Sequence, residues 1–332
     1  MKITVLGAGA WGTTLAIVLY YNGHEVILWD HDKKNADQMR KKKENKTYLP
    51  GIELPKDMII THKLEETYLN RNMIVIAVPT QFIRSVISRI PSKNVQDTIF
   101  VSVSKGIEKG TLLTVSQIIR DVFPQLPQSN IGVLSGPSHA EEVSKRIPTT
   151  VVAASVDMAT SYTIQSAFMT SYFRVYTSTD VIGVEMGAAY KNVIAIGAGI
   201  IDGVGYGDNT KAALITRGIS EIAKLGLAMG AKPETFYGLS GIGDLFVTCM
   251  SRHSRNRYVG EKVGAGMPLV KVLAGMSAVA EGVETCKSAS ALAEKYGVET
   301  PITQEVYKIL FEGKDPVKAT NDLMTRDKRI ES

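Results

Sequence analysis

The chain has 332 residues, of which 44% are hydrophobic and 21% charged, with a formal net charge of +5. This length predicts about two domains, and the absence of any apolar run of 18 or more residues argues against membrane association. The charge surplus is mild, and we expect no nucleic-acid partner. Cys249 and Cys286 lack metal-ligand spacing, so we expect buried free thiols, no metal and a cytoplasmic location.

The first half alternates short apolar strands with helical stretches. Strands are predicted at residues 2–6, 24–29, 72–78, 98–103, 131–134, 149–154 and 172–175. Helices are predicted at residues 13–21, from near Asp32 onward, and at 81–90. Near-continuous Val/Ile runs are typical of strands buried on both faces, which predicts a parallel α/β layer.

The second half changes to Ala/Gly/Ile-rich segments with helical periodicity. Helices are predicted at residues 182–200, 210–228, 233–236, 258–263, 269–274, 286–296, 302–311 and 316–323. The predicted fold class is therefore an α/β N-terminal domain of Rossmann type over residues 1–180 and an all-α C-terminal domain over 181–332.

The most informative motif is the glycine turn Gly7-Ala8-Gly9-Ala10-Trp11-Gly12, which follows a strand and opens a helix. In this context Gly7 permits a tight turn, Gly9 lets backbone approach a pyrophosphate, and Gly12 lets helix and strand pack closely. The turn predicts a dinucleotide site. Trp11 either stacks near the cofactor or fills a gap.

The end of the second strand bears on which nicotinamide cofactor is bound. Asp30 stands where a carboxylate would bind the ribose hydroxyls of NAD and repel the 2′-phosphate of NADP. His31, Lys33 and Lys34 follow at once and are able to meet that phosphate. The sequence therefore predicts NAD(H), NADP(H) or both.

A basic side chain stands in a helical stretch poor in bulky residues. Gly183, Gly187 and Lys191 share one helical stripe, which Ala195 and Ala198 continue. If the lysine is partly desolvated, its pKa falls toward the range of a usable acid or base. The alternative is helix packing with Lys191 reaching to water, and the spacing alone leaves both open.

Three further groups are candidates for binding an anionic substrate. Lys105 follows a strand at the sheet edge where open α/β sheets bind ligands, or is an ordinary turn lysine. Ser138 and Glu141, after Ser135-Gly136-Pro137, fit a capping box that would offer N–H donors to an anion, or a mere cap. Asp244 precedes Ser254-Arg255-Asn256, which is able to cradle a phosphate or forms a solvated loop.

These motifs together resemble bacterial-type NAD(P)-dependent glycerol-3-phosphate dehydrogenase over nearly the whole chain. The resemblance rests on the following segments: Gly7 to Gly12, Ser104-Lys-Gly106, Ser135-Gly-Pro-Ser138, Gly187-Ala-Ala-Tyr-Lys-Asn-Val-Ile-Ala-Ile-Gly197, Leu214-Ile-Thr-Arg-Gly218, Gly241-Ile-Gly-Asp244 and Ser254-Arg-Asn256. It implies a C-terminal domain like that of 6-phosphogluconate dehydrogenase and a homodimer. It also implies reversible reduction of dihydroxyacetone phosphate to sn-glycerol 3-phosphate for phospholipid synthesis.

The resemblance further implies roles for individual residues. Lys191 is the expected proton donor and acceptor, with Lys105 and Asp244 beside it. Expected substrate contacts are Lys105, Gly136, Ser138, Lys191, Asp244, Ser254, Arg255 and Asn256. Expected cofactor contacts, besides Gly7, Gly9 and Gly12, are Ala10, Trp11, His31, Lys105, Ala140, Arg255, Val279 and Glu281.

Two other functions fit parts of the sequence. Another two-domain dehydrogenase would act on a different hydroxy acid, although Arg255 with Asn256 favours a phosphate-bearing substrate. A catalytically idle NAD-binding redox sensor would not need Lys105, Lys191 and Asp244 together. Activity with dihydroxyacetone phosphate separates these functions.

Overall fold

The N-terminal half is a layered α/β structure. The computed structural model describes residues 1–276, 279–328 and 330–331. Within them, eight strands form one sheet in the order β10-β9-β8-β7-β6-β1-β2-β5, and β3 and β4 form a separate hairpin. The strands are β1 Lys2–Leu6, β2 Glu25–Trp29, β3 Glu44–Asn45, β4 Leu49–Glu53, β5 Ile59–Thr61, β6 Met73–Ile76, β7 Ile99–Ser102, β8 Ile131–Ser135, β9 Thr149–Ser155 and β10 Phe173–Ser178.

The helices of the first half lie between these strands. They are α1 Ala10–Tyr21, α2 Lys33–Lys42, α3 Thr80–Ile87, α4 Val115–Val122, α5 Ala140–Val143 and α6 Met158–Phe168. Strand β1 is fully buried after Lys2, and β6 is buried along its whole length. This confirms the sequence interpretation of strands covered on both faces.

The sheet is parallel, as predicted, except at one junction. β8 and β9 pair antiparallel, whereas β10 pairs parallel with β9. The connection from β8 to β9 contains only the four-residue helix α5. A parallel return usually requires a long crossover, often a full helix packed on the sheet, and this short segment does not supply one.

The C-terminal half is helical, as predicted. Its helices are α7 Val181–Val204, α8 Asp208–Ala228, α9 Pro233–Phe236, α10 Asp244–Met250, α11 Arg255–Gly264, α12 Leu269–Ala274, α13 Glu281–Tyr296, α14 Pro301–Phe311 and α15 Pro316–Met324, with a kinked π-type turn at Leu239–Gly243. α8, α10, α11, α13 and α14 pack around α7. α7 is therefore the central helix of this half.

The composition of α7 follows from its central position. By length and hydropathy alone it is a candidate membrane span, but its entire apolar window is buried inside the fold. Gly187 lies where a Cβ would collide with the backbone carbonyl of Ser240. Glycine at this point of the helix thus brings the segment that leads to α10 against α7.

Both cysteines are buried and free, as the sequence predicted. Cys249 lies on α10 and Cys286 on α13, and both side chains belong to the core around α7. Burial raises the pKa of each thiol to about 12, so both stay protonated near neutral pH. These cysteines therefore act as small apolar core residues.

Candidate functional site

The glycine turn joins β1 to α1 and leaves space for a ligand. Gly7 has a φ of +106°, a conformation that favours glycine. Gly9 is the N-cap of α1, and a Cβ added there would meet nothing within 4 Å. Among the described residues, no side chain caps α1, and its first turn holds no acidic residue. The turn therefore fits the pyrophosphate of a dinucleotide at a helix N-terminus.

Three other residues expected near the cofactor line this region in different ways. Trp11 is partly buried against the core of the sheet domain, with its ring centroid 6.3 Å from that of Phe173. Ala10 is partly buried against the same core. Ala140 is buried, and its carbonyl accepts a hydrogen bond from Thr14 of α1. Ala140 thus lies beside the helix that begins at the glycine turn.

The carboxylate of Asp30 is turned inward at the end of β2. It is 3% exposed, and it accepts hydrogen bonds from the Asp32 backbone N–H and from Asn35. His31 is exposed, with its Nδ1 3.2 Å from Asp30. Lys33 and Lys34 are exposed at the start of α2. The Asp30 carboxylate thus already accepts hydrogen bonds from within the protein. The three basic side chains near it face solvent.

Lys105, Asp244 and Lys191 form one buried ionic cluster. Lys105 Nζ donates to Asp244 Oδ2 at 2.8 Å and to the Gly136 carbonyl at 3.0 Å. Lys191 Nζ donates to Asp244 Oδ1 and, at 2.6 Å, to Thr248 Oγ1. The side chain of Asp244 is 1% exposed and that of Lys191 6%. One carboxylate from α10 therefore binds two ammonium groups, one from the sheet edge and one from α7.

Burial and charge act in opposite directions on this cluster. Burial lowers the pKa of Lys191 to about 8, against the attraction of Asp244, which raises it, and with a further lowering by Lys105. Burial would raise the pKa of Asp244, but the two lysines outweigh it and hold the pKa below its usual value. Asp244 is thus a carboxylate, and Lys191 exchanges a proton near neutral pH.

The buried hydrogen bonds of Lys191 with Asp244 and Thr248 exclude the alternative that its side chain reaches to water. Gly187, one turn before it, lies where a Cβ would strike the Ser240 carbonyl. That close approach brings the segment before α10 against α7, and Asp244 is the first residue of α10. The small-residue stripe is therefore what lets the carboxylate reach the lysine.

The loop after β8 contributes backbone and hydroxyl groups beside the cluster. The predicted capping box at Ser138 and Glu141 is wrong, because His139 is the N-cap of α5 and has no side-chain cap bond. Ser138 Oγ instead donates to the Gly136 carbonyl at 2.9 Å. That carbonyl also accepts a hydrogen bond from Lys105 Nζ, which holds the loop after β8 beside the lysine.

The Ser254-Arg255-Asn256 segment begins a helix, although the sequence prediction began that helix only at residue 258. Ser254 is the N-cap of α11, and its hydroxyl accepts from the Arg257 backbone N–H. Arg255 is exposed and donates to the Val279 carbonyl at 3.0 Å. The segment thus combines a helix N-terminus with a guanidinium, which suits a phosphate.

Asn256 lies in a chain of amide contacts that links both halves of the protein. Its Nδ2 donates to Asn192 at 2.9 Å, and its Oδ1 accepts from the Gly282 backbone N–H at 2.9 Å. Asn192 in turn donates to the Lys105 carbonyl at 3.0 Å. Sequence reasoning missed Asn192 and Thr248 as site residues. Asn192 directly follows Lys191, whereas Thr248 was detectable only by its position one turn after Asp244.

Glu281 and Val279 lie where the two halves meet. Glu281 accepts from the Thr80 backbone N–H at 3.2 Å and from Thr80 Oγ1 at 3.0 Å. Burial raises the pKa of this carboxyl, although Thr80 and Arg255 oppose the shift. Val279 is 49% exposed. Glu281 therefore joins the start of α13 to the start of α3, beside the strand end that precedes Lys105.

Among the described residues, no group of three or more His, Cys, Asp or Glu side chains is placed to hold a metal ion. The polar side chains that contact one another at this site include Lys105, Lys191, Asp244, Asn192 and Asn256. His139 and His253 face each other, with ring centroids 5.7 Å apart.

A dinucleotide turn on a Rossmann-type sheet, joined to a helical domain that carries a buried lysine, defines a two-domain nicotinamide-dependent dehydrogenase. The profile described as the N-terminus of NAD-dependent glycerol-3-phosphate dehydrogenase matches residues 2–161, and the C-terminus profile matches 180–321. The chain belongs to the NAD-dependent glycerol-3-phosphate dehydrogenase family and is an oxidoreductase.

Individual relatives cover the chain from end to end. Glycerol-3-phosphate dehydrogenase [NAD(P)+] of Chlorobium phaeobacteroides is 50% identical over 331 residues, covering 100% of this chain and 99% of the relative. That of Fusobacterium nucleatum is 50% identical over 333 residues, covering 100% and 98%. A crystal structure of glycerol-3-phosphate dehydrogenase from Coxiella burnetii superposes with a TM-score of 0.93 at 36% identity, covering 98% and 99%.

Proposed function

We propose that this cleft catalyses the reversible NAD(P)H-dependent reduction of dihydroxyacetone phosphate to sn-glycerol 3-phosphate, with Lys191 as general acid and base. The observation that carries the proposal is the Lys105–Asp244–Lys191 cluster, which joins the carboxyl edge of the sheet to α7. Family membership supports the same reaction. The product would supply glycerophospholipid synthesis.

The proton chemistry follows from the pKa of Lys191. When bound, the nicotinamide supplies the hydride to the substrate carbonyl carbon. Lys191 stabilises the negative charge that develops on the carbonyl oxygen and then protonates it. Asp244 keeps the ammonium oriented, because its Oδ1 accepts one Nζ hydrogen while Thr248 accepts another. In the reverse direction the neutral amine of Lys191 accepts the hydroxyl proton.

The substrate phosphate is proposed to bind at the start of α11. The backbone N–H groups of that end and the exposed guanidinium of Arg255 attract a dianion. Asn256 supports this end through Gly282 and Asn192, and Ser138 and Gly136 approach from the sheet domain. Lys105 then lies between the phosphate end and the reacting carbonyl.

The cofactor is proposed to be held by the glycine turn, Ala10, Trp11, Ala140, Val279 and Glu281, with its adenosine end near His31. Asn35 and the Asp32 N–H donate hydrogen bonds to the Asp30 carboxylate, which weakens the repulsion between that carboxylate and a 2′-phosphate. Exposed His31, Lys33 and Lys34 offset it further. We therefore infer that both NAD(H) and NADP(H) are used. Comparison of KM for NADH and NADPH in the Lys34→Ala variant tests this inference, since only the KM for NADPH should rise.

The domain division is proposed at residues 1–180 and 181–332. The last sheet strand ends at Ser178 and α7 begins at Val181, which supports a boundary between them.

A cytoplasmic homodimer is proposed in addition. Light scattering coupled to gel filtration tests the dimer, and a monomer at micromolar concentration would contradict it.

The reaction is tested by the loss of NADH absorbance on addition of dihydroxyacetone phosphate, with Lys191→Ala alongside. We expect turnover by the wild type and a loss of at least about 100-fold in the variant, because general acid catalysis contributes that much or more. Tight NADH binding without turnover would indicate a redox sensor. Turnover only with carboxylated ketones would indicate another dehydrogenase.

A further inference from the structure

Two histidines on different loops contact each other, and neither belongs to the proposed chemistry. His139 lies on the loop after β8, directly after Ser138. His253 lies on the loop before α11, directly before Ser254. Their rings are 5.7 Å apart and inclined by 54°. The contact therefore joins the two loops proposed to hold the substrate phosphate from opposite sides.

The two rings differ in their surroundings. His253 is exposed, whereas Nε2 of His139 is closed from solvent and has no hydrogen-bond partner within the described residues. A proton added to this nitrogen would have no acceptor. The tilted packing of the two rings needs no proton on His139, because it depends on contact between the rings.

The charges around His139 also favour the neutral ring. Lys191 and Lys105 act on it from α7 and from the sheet edge, Glu141 and Glu142 from its own loop and helix, and His253 packs against it. Burial lowers the pKa of His139, and the two lysines lower it further against the two glutamates. The ring is thus a neutral group next to a cationic cluster.

We propose that His139 is a positioning residue for substrate binding, whose neutral ring holds the 251–256 loop against the sheet domain through His253. This proposal rests on the proposed phosphate site at the start of α11. If protonation breaks the contact, the loop with Ser254 and Arg255 loses its support and KM for dihydroxyacetone phosphate rises. The chemical step depends on Lys191 and stays largely unchanged.

The sign of the pH dependence follows from the lowered pKa. The contact is intact where His139 is neutral and is lost as pH falls below the ordinary histidine value of about 6.5 toward the lowered one. KM for the substrate therefore rises at acid pH. The phosphate of the substrate also titrates near this pH, so a variant without the imidazole is the required reference.

The experiment compares His139→Phe, His139→Ala and His253→Ala in steady-state reduction of dihydroxyacetone phosphate between pH 5.5 and 8.5. Phenylalanine keeps a ring but cannot titrate. We expect its KM at pH 8 to match the wild type and its acid rise in KM to be smaller. We expect both alanine variants to raise KM by roughly 3- to 10-fold, the range of one aromatic contact, with kcat within about 2-fold.

A double-mutant cycle completes the test. If the rings act through each other, the double alanine variant is no worse than either single variant. Unchanged KM in His253→Ala, an acid rise in His139→Phe equal to that of the wild type, or a KM that falls at acid pH would each overturn the proposal. His253 is exposed, so its variant should fold even if His139→Ala does not. Asn256→Ala is the reference for the phosphate site itself. If this variant also leaves KM unchanged, the proposed phosphate site is wrong, and not only the role of His139.

Discussion

Lys191 of α7 and Asp244 of α10 form a buried ion pair, in which the lysine Nζ donates directly to the aspartate Oδ1. The second oxygen of Asp244 binds Lys105. The carboxylate has no solvent to replace either partner, since its side chain is 1% exposed. The pair therefore sets the charge of the site and the position of the Lys191 ammonium, the proposed acid.

Replacing Asp244 by Asn should affect rate and stability together. The buried Lys191 and the partly buried Lys105 would then lie close together without a carboxylate, and loss of one partner from a buried pair costs on the order of 3–5 kcal/mol. We expect kcat to fall by at least about 100-fold and the pKa of Lys191 to fall below about 8, because the attraction of Asp244 now raises it. Urea unfolding and the pH–rate profile measure these effects. Asp37→Asn, which removes an exposed ion-paired carboxylate, is the control and should change neither.

The two directions of the reaction should depend oppositely on pH. Reduction needs protonated Lys191, so its kcat falls as pH rises through about 8, whereas oxidation needs the neutral amine and gains over the same range. Initial rates in each direction from pH 6 to 10, with saturating substrates, measure this. If both directions lose activity above pH 8, Lys191 is not the group that titrates.

Gly9→Ala and Gly12→Ala should separate cofactor binding from folding. A Cβ at Gly9 enters open space, so we expect normal stability and a KM for NADH raised by about 10-fold or more, as the methyl occupies the pyrophosphate seat. A Cβ at Gly12 would collide with the Gly7 carbonyl, so that variant should be destabilised as well. Thermal unfolding and NADH titration are the measurements. Unaltered NADH affinity in Gly9→Ala would contradict the seat.

Gly187→Ala should act on catalysis through packing. The added Cβ would collide with the Ser240 carbonyl and push the start of α10 away from α7. We expect destabilisation of about 1–3 kcal/mol, typical of overpacking, and a fall in kcat because Asp244 moves from Lys191. Gly207→Ala is the matched control, since its Cβ meets nothing within 4 Å. Equal stability and activity of the two variants would contradict the role of Gly187.

The effect of Glu221→Gln on stability should depend on pH and be more favourable at alkaline than at acid pH. Burial raises the pKa of Glu221 to about 7, although its hydrogen bonds from the Ile302 and Thr303 backbone lower it. A carboxyl with a raised folded-state pKa favours folding below its unfolded value near 4.5 and loses that contribution as pH rises through about 7. The amide should therefore compare more favourably with the carboxylate at pH 8 than at pH 5, on top of a cost at both pH values, because its nitrogen cannot accept from the Thr303 N–H as Oε2 does. Denaturant unfolding at the two pH values measures it, and an equal effect at both would contradict the shift.

Local pattern was sufficient for the elements with strong periodicity. The predicted helices at residues 233–236 and 269–274 coincide with α9 and α12, because proline at or before the first turn and apolar spacing mark them. Helices α4, α5, α6 and α10, strand β5 and the β3–β4 hairpin were missed. The Thr114–Gln117 capping box and the N-cap Asp157 were signals in the sequence for α4 and α6 that the prediction overlooked. Strand β3 has only two residues, too few for a periodic pattern, so packing selects the hairpin.

The sequence by itself determined the dinucleotide turn and the order of the α/β and helical halves, because each depends on short motifs and periodicity along the chain. Tertiary structure decided how the site residues meet. Lys105 and Asp244 are 139 positions apart, and only the approach of the segment before α10 to Gly187 places the carboxylate between two lysines. The reversed strand β9 and the His139–His253 contact have the same origin. Both depend on how the chain returns on itself, which local pattern does not specify.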